Sequence, residues 1–202
     1  MNTEKYLKDK QSFIFELDNV IYPEKDYYLQ VYYLFAQFIE YGEQLNSADV
    51  LAFMQQTYLE EGEVDIFAKT AVKFDIPEKY KVNFEMLLLS VRLPLKLLIY
   101  NEVLSLLQAI VLERKQIFLL VRGNPGMQLN KIKQTEWNGL EKYLTVFFTE
   151  EFETEADAMK EIMEQHQIEK EGALLIGSSS FAESSALSNK MDYLFVNELF
   201  GQ

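Results

Sequence analysis

Apolar residues recur along this chain in two different patterns. Between positions 21 and 95 they return at three- and four-residue steps, as in Tyr28, Val31, Tyr32, Leu34, Phe35, Phe38 and Ile39. That is the period of an amphipathic helix. It predicts a first helix from Asp26 with Gly42 as its stop. A second, capped by Ser47, carries Val50, Leu51, Met54 and Leu59 and ends at Gly62. A third covers 64–74, and Pro77 opens a fourth that runs through Ser90 before Pro94 breaks it. The Tyr and Phe stripe of this block reads as packing surface. From position 101 the pattern changes. A helix capped by Asn101 and reaching Arg114 is followed by an apolar strand, 116–121, and a turn at 122–126. Next come a helix carrying Met127, Leu129, Ile132 and Trp137, a strand at 144–148, and a helix capped by Thr154. A strand at 173–176, a short helix at 182–189 and a strand at 193–196 complete the series. One more apolar run, 12–17, stands before the helical block. Strands that alternate with helices and read as continuous apolar runs imply βαβ crossovers and a parallel sheet. The expected architecture is therefore α/β, a Rossmann-like parallel sheet of about five strands flanked by helices. An all-helical insert, 21–95, interrupts a discontinuous core of 1–20 and 96–202.

Composition agrees with a packed protein. The chain has 202 residues, 49% hydrophobic and 14% aromatic. Its 19 Lys and Arg face 32 Asp and Glu, a formal net charge of −13. An acidic balance argues against a nucleic acid or an anionic membrane surface as partner. There is no cysteine, so disulfides, thiolate chemistry and Cys-based zinc sites are excluded. The first residues, MNTEKYLKDKQ, lack the apolar core of a signal peptide. No apolar run approaches the length of a membrane span. A cytoplasmic protein is the expectation, and the pattern leaves its oligomeric state open.

The chemistry concentrates where the first strand ends. Glu16 and Asp18 stand i, i+2 at the close of 12–17. On an extended chain that spacing aims both carboxylates the same way. In an open parallel sheet, ligands bind beyond the carboxyl ends of the strands. The pair suits acid/base work or a hard cation, and equally a strand running into a polar turn. His166, the only histidine, falls among Glu164, Gln165 and Gln167 and reads as part of a solvated helix face.

The run FELDNVIYPEKDYY resembles the first motif of the haloacid dehalogenase superfamily, and in particular its pyrimidine-nucleotidase-like branch. The resemblance implies a phosphohydrolase fold with a helical cap at 21–95 and a magnesium ion when active. It also implies a nucleophilic aspartate, where this chain has Glu16, and an acid/base aspartate, matched by Asp18. The second motif is similar to VRGNPGMQLNKI. Val121 takes the hydroxyl position there, with Arg122, Gly123 and Asn124 along the phosphate-binding turn. The lysine of the third motif corresponds to Glu155-Ala156. The fourth motif corresponds to Gly177-Ser178-Ser179-Ser180-Phe181-Ala182. Ser178 occupies its metal-binding aspartate, Ala182 its second acidic position, and Glu183 is adjacent.

Each departure weakens phosphoryl transfer. A carboxylate one methylene longer moves the attacking oxygen by about 1 Å, enough to lose ~100-fold. Loss of the lysine removes a stabiliser of the kind that is worth roughly 10²–10³-fold. Two readings result. One is a catalytically degenerate protein that binds or regulates. The other is a weak magnesium-dependent phosphohydrolase acting on a small phosphorylated metabolite through Glu16 and Asp18, with Glu16, Asp18 and Ser178 about the metal. A small anionic ligand suits either. Arg122 ends the strand expected beside the first, so the degenerate reading predicts an Arg122–Glu16 ion pair.

Overall fold

The computed structural model describes residues 4–201, apart from the side chains of Glu155, Ala156 and Phe181. Five strands form one sheet: β1 (Ser12–Glu16), β2 (Gln116–Val121), β3 (Leu144–Phe148), β4 (Ala173–Gly177) and β5 (Asp192–Phe195). All neighbours are parallel and the order is β3-β2-β1-β4-β5. The chain winds outward from β1 to β2 and β3, then crosses to β4 on the other side of β1. That reversal opens a crevice at the carboxyl end of β1. The register sets Glu16 beside Leu120 and Phe15 beside Ile176. Arg122 and Ser178 therefore leave their own strands just beyond Glu16.

The central strand is buried because helices cover both faces. Phe13, Ile14 and Phe15 have no exposure. On one face Ile14, Phe118, Leu120 and Leu175 meet Met159, Ile162, Ala182 and Ala186. The latter come from α8 (Glu155–Gln165) and α9 (Ser180–Ser188). On β1 and β4 the residues of this face alternate with those of the other, as the pleat requires. Helix α6 (Asn101–Leu112) packs beside β2 with Val103, Leu106, Leu107 and Ile110 buried. Helix α1 (Glu4–Asp9) precedes the sheet.

Two compact units emerge. One holds the sheet and comprises 1–23, 98–128 and 135–202. The other is all-helical and comprises 24–97 with 129–134. Its helices are α2 (Lys25–Glu43), α3 (Ser47–Glu61), α4 (Ile66–Phe74), α5 (Lys81–Ser90) and the second half of α7 (Pro125–Gln134). Helix α2 buries Tyr27, Tyr28, Val31, Tyr32, Phe35, Ala36 and Ile39 along one stripe. Phe35, Phe67 and Phe84 meet ring to ring at 5.1–5.9 Å. Burial pushes the Tyr32 hydroxyl pKa far above its ordinary value, with Tyr58 and two glutamates adding to the effect.

Several element ends differ from the expectations. Helix α2 runs past Gly42, and Gln44 takes the left-handed position that ends it, at φ 57°. A Cβ at Gly42 would stand 2.9 Å from the Tyr80 hydroxyl, which accounts for a glycine inside this helix. Asn46, not Ser47, caps α3, accepting from the N–H groups of Ala48 and Asp49 at 2.9 and 3.3 Å. Asn101 does not cap α6, because Tyr100 holds the cap position and its N–H donates to the Ile21 carbonyl at 2.9 Å. Trp137 falls beyond α7. Pro77 opens a short 3-10 turn, Glu78–Tyr80, ahead of α5. His166 is not on a solvated face: it is half-buried, its ring 4.8 Å from Phe118 and 5.9 Å from Phe147. Thr154 does cap α8, accepting from Asp157 N–H at 3.1 Å.

Candidate functional site

The loop after β1 is built by local bonds. Ile21 N–H donates to Leu17 O at 2.9 Å and Asn19 N–H to Tyr22 O at 3.0 Å, with Asn19 in the left-handed region at φ 61°. Asparagine tolerates that conformation better than most residues. The turn brings the Tyr22 hydroxyl back onto Asp18 Oδ1 at 3.0 Å. On the other oxygen, Asp18 Oδ2 accepts from Gln128 Nε2 at 2.8 Å. The same Nε2 donates to the Arg122 carbonyl at 2.7 Å. Gln128 is 3% exposed and ties the end of β1 to the end of β2. Two acceptors facing Nε2 fix the amide's orientation. Its Oε1 is consequently buried with no hydrogen-bond partner among the described residues.

Glu16 lies between two strand ends. Its Oε1 faces Arg122 Nη2 at 3.2 Å and the Ser179 hydroxyl at 3.4 Å. Its Oε2 accepts from Ser178 N–H at 2.8 Å, with the Ser178 hydroxyl at 3.5 Å. The Glu16 side chain is 13% exposed and that of Arg122 is 47% exposed. The expected ion pair is present. It differs from an exposed surface bridge because the carboxylate is largely out of water and also holds a backbone N–H.

The turn expected to bind phosphate is occupied from within. Gly123 adopts φ +97°, which favours glycine, and its N–H donates to Glu150 Oε1 at 2.9 Å. Asn124 turns its side-chain oxygen to the N–H groups of Gly126 and Met127 at 2.9 and 3.2 Å, capping α7. Val121 is fully buried, so neither its side chain nor its backbone faces solvent. Glu155-Ala156 falls in the first turn of α8, and both side chains lie outside the described residues. Ala182 is buried in the core below the site. Charge and motif position pointed to Glu16, Asp18, Arg122 and Ser178. They did not single out Gln128, Tyr22, Ser179 or Glu150. The one available signal was the glutamine within VRGNPGMQLNKI.

These residues do not fit a magnesium ion. Mg²⁺ needs near-octahedral oxygen ligands at about 2.0–2.1 Å. Both Glu16 oxygens face hydrogen-bond donors, one of them a guanidinium carrying its own positive charge. Both Asp18 oxygens accept hydrogen bonds. Ser178 offers a neutral hydroxyl where a carboxylate would balance the cation. Among the described residues no group of three Asp, Glu or His side chains converges as a metal site.

Gly177 is the tightest point of the site. A Cβ there would lie 2.9 Å from Glu16 Oε2, 2.9 Å from Tyr193 Cε2 and 3.0 Å from Ala182 Cβ. Gly177→Ala is expected to destabilise the protein by about 1–3 kcal/mol, the cost of overpacking a filled space. Urea unfolding would measure it, and an unchanged midpoint would mean that Glu16, Tyr193 and Ala182 all give way freely.

No family model and no curated protein sequence matches the chain. Solved structures do. A hydrolase from Streptococcus pneumoniae TIGR4 superposes with a TM-score of 0.58 at 18% identity, covering 92% of each chain. A haloacid dehalogenase-like family hydrolase from Xanthomonas campestris gives 0.57 at 13% identity, over 93% of this chain and 81% of that one. The L-2-haloacid dehalogenase from Xanthobacter autotrophicus gives 0.53 at 13% identity, over 91% and 76%. Sheet order, parallel pairing and these superpositions agree: the chain has the haloacid dehalogenase-like fold.

Proposed function

We propose that this protein is a catalytically degenerate relative of the haloacid dehalogenase-like hydrolases and works by binding, not by phosphoryl transfer. The observation that carries this reading is the Glu16 carboxylate, held between the Arg122 guanidinium and the Ser178 N–H. A nucleophilic carboxylate needs a lone pair aimed at the reacting atom. Pairing with a guanidinium draws electron density away from that oxygen and fills the approach to it. Glu150 on Gly123 N–H adds a second internal anion where a phosphoryl oxygen would have to sit. Arg122 and the 122–124 turn then form a site already satisfied by the chain's own carboxylates. Only a small anion that displaces one of them gains access. In this reading the all-helical insert 21–95 corresponds to the cap of the fold. We take the protein to be a cytoplasmic small-molecule binder; the chain is acidic, and among the described residues no helix is long and apolar enough to cross a membrane.

The test is turnover of a generic aryl phosphate and a panel of phosphorylated metabolites with Mg²⁺, comparing the native protein with Glu16→Ala. The expected result is no turnover that the substitution removes. Magnesium-dependent activity lost in Glu16→Ala would establish the weak phosphohydrolase and sink the degenerate reading.

A further inference from the structure

A concentration of positive charge lies in the helical unit. A cavity of about 440 Å³ opens to solvent between the segment 90–96 and the second half of α7. Arg92, Lys96 and Lys133 line it, and no carboxylate does. In a chain of net charge −13 this juxtaposition is unusual. Like charges gathered in one cavity repel, and with no acidic residue in the lining the repulsion is not offset there. Among the described residues none of the three makes an ion pair.

The cavity wall is also preorganised. Gln134 grips the backbone of 91–93 at both ends: its Oε1 accepts from Leu93 N–H at 2.6 Å and its Nε2 donates to the Val91 carbonyl at 2.6 Å. Asn130 donates to the same carbonyl at 2.9 Å and to the Tyr27 hydroxyl at 3.2 Å. That hydroxyl in turn donates to the Leu88 carbonyl at 2.6 Å. Segment 91–93 is thus tied to α7 and α2, and the backbone bearing Arg92 is fixed in place. A rigid wall lowers the ordering cost of binding, and Arg presents a planar fork suited to phosphate oxygens. Val91, Leu93 and Pro94 supply an apolar wall for a carbon skeleton. The volume falls within the ordinary range of small-molecule sites.

We infer that the cavity bordered by Arg92, Lys96 and Lys133 is a binding site for a small organic phosphate carrying two or more negative charges. Arg92 takes the phosphate oxygens, Lys96 and Lys133 balance the remaining charge, and the apolar wall receives the organic portion. The cavity shares no lining residue with the Glu16 site, and binding there does not depend on whether that carboxylate retains any chemistry.

Isothermal titration calorimetry with pyrophosphate as the probe tests it, at constant ionic strength, with citrate run in parallel. The expected result is saturable pyrophosphate binding that weakens at least about tenfold in Arg92→Gln/Lys133→Gln, since each lost charge-assisted contact is typically worth that much. These side chains are exposed, so the double variant should keep the native circular dichroism and unfolding midpoint. Lys79→Ala, a charge removal elsewhere on the helical unit, should leave the affinity unchanged. No saturable binding, equal binding in the double variant, or binding of citrate but not pyrophosphate would overturn the proposal. So would binding that survives the double variant but is lost in Arg122→Ala, which would assign the anion to the Glu16 site.

Discussion

Phe35→Ala is expected to lower stability by about 4 kcal/mol, within the range for deleting a buried phenyl ring. Phe35 has no exposure and lies at the centre of an aromatic group in the helical unit. Its ring meets Phe84 edge-on at 5.1 Å and Phe67 at 5.9 Å, and Phe84 in turn stacks on Tyr32 at 6.1 Å. The loss combines the transfer free energy of the ring, the cavity it leaves, and two aromatic pairs worth roughly 0.5–1.5 kcal/mol each. Large rings on α2, α4 and α5 are held by one another and cannot all collapse into the gap. Urea unfolding should show the midpoint falling with an unchanged slope. A loss below about 1 kcal/mol would mean that the group repacks as a fluid cluster, contrary to the density expected of a protein interior.

The second large effect concerns Lys131. It is fully buried, its ammonium 3.6 Å from Glu24 Oε1 and 5.2 Å from the ring centres of both Tyr27 and Tyr28. Glu24→Ala is expected to cost about 3 kcal/mol, because it takes a carboxylate away from an ammonium that has no access to water. Lys131→Met should cost about 1 kcal/mol or less. Methionine fills a similar length, its sulfur suits the two tyrosine faces, and Glu24, 23% exposed, regains water. The order of the two effects is the informative result. If Lys131→Met proves the more damaging, the ammonium contributes net stability through the rings and not merely a buried charge in need of balance.

An element of this molecule is legible in the sequence where its cause is local. Continuous apolar runs made 116–121 and 144–148 legible as strands, and both elements span those residues in the fold. Thr154 and Gly62 were legible as helix ends because a cap acts within four residues of itself. Ser47, Gly42 and Asn101 were misread for a tertiary or a competing local reason. Asn46 offers a better-placed side-chain oxygen than Ser47, Gly42 makes room for Tyr80, and Tyr100 is drawn to the Ile21 carbonyl. His166 was misread because its polar sequence neighbours gave no sign of Phe118 and Phe147.

The candidate site divides in the same way. The carboxylates at 16 and 18, the strand that carries them and the guanidinium at 122 were visible in the chain itself, since motif position and strand ends are local properties. Their meeting at 3.2 Å is a tertiary outcome, set by the parallel register that places Glu16 beside Leu120. So are Gln128, which reaches Asp18 across 110 positions while holding the Arg122 carbonyl, and Glu150, which takes the Gly123 N–H. Hydrophobic period and turn chemistry determine which elements form, because each residue's contribution acts within a few positions. Only the packed sheet decides which polar atoms finish within 3 Å of each other, because that depends on register and on the angle at which each loop leaves its strand.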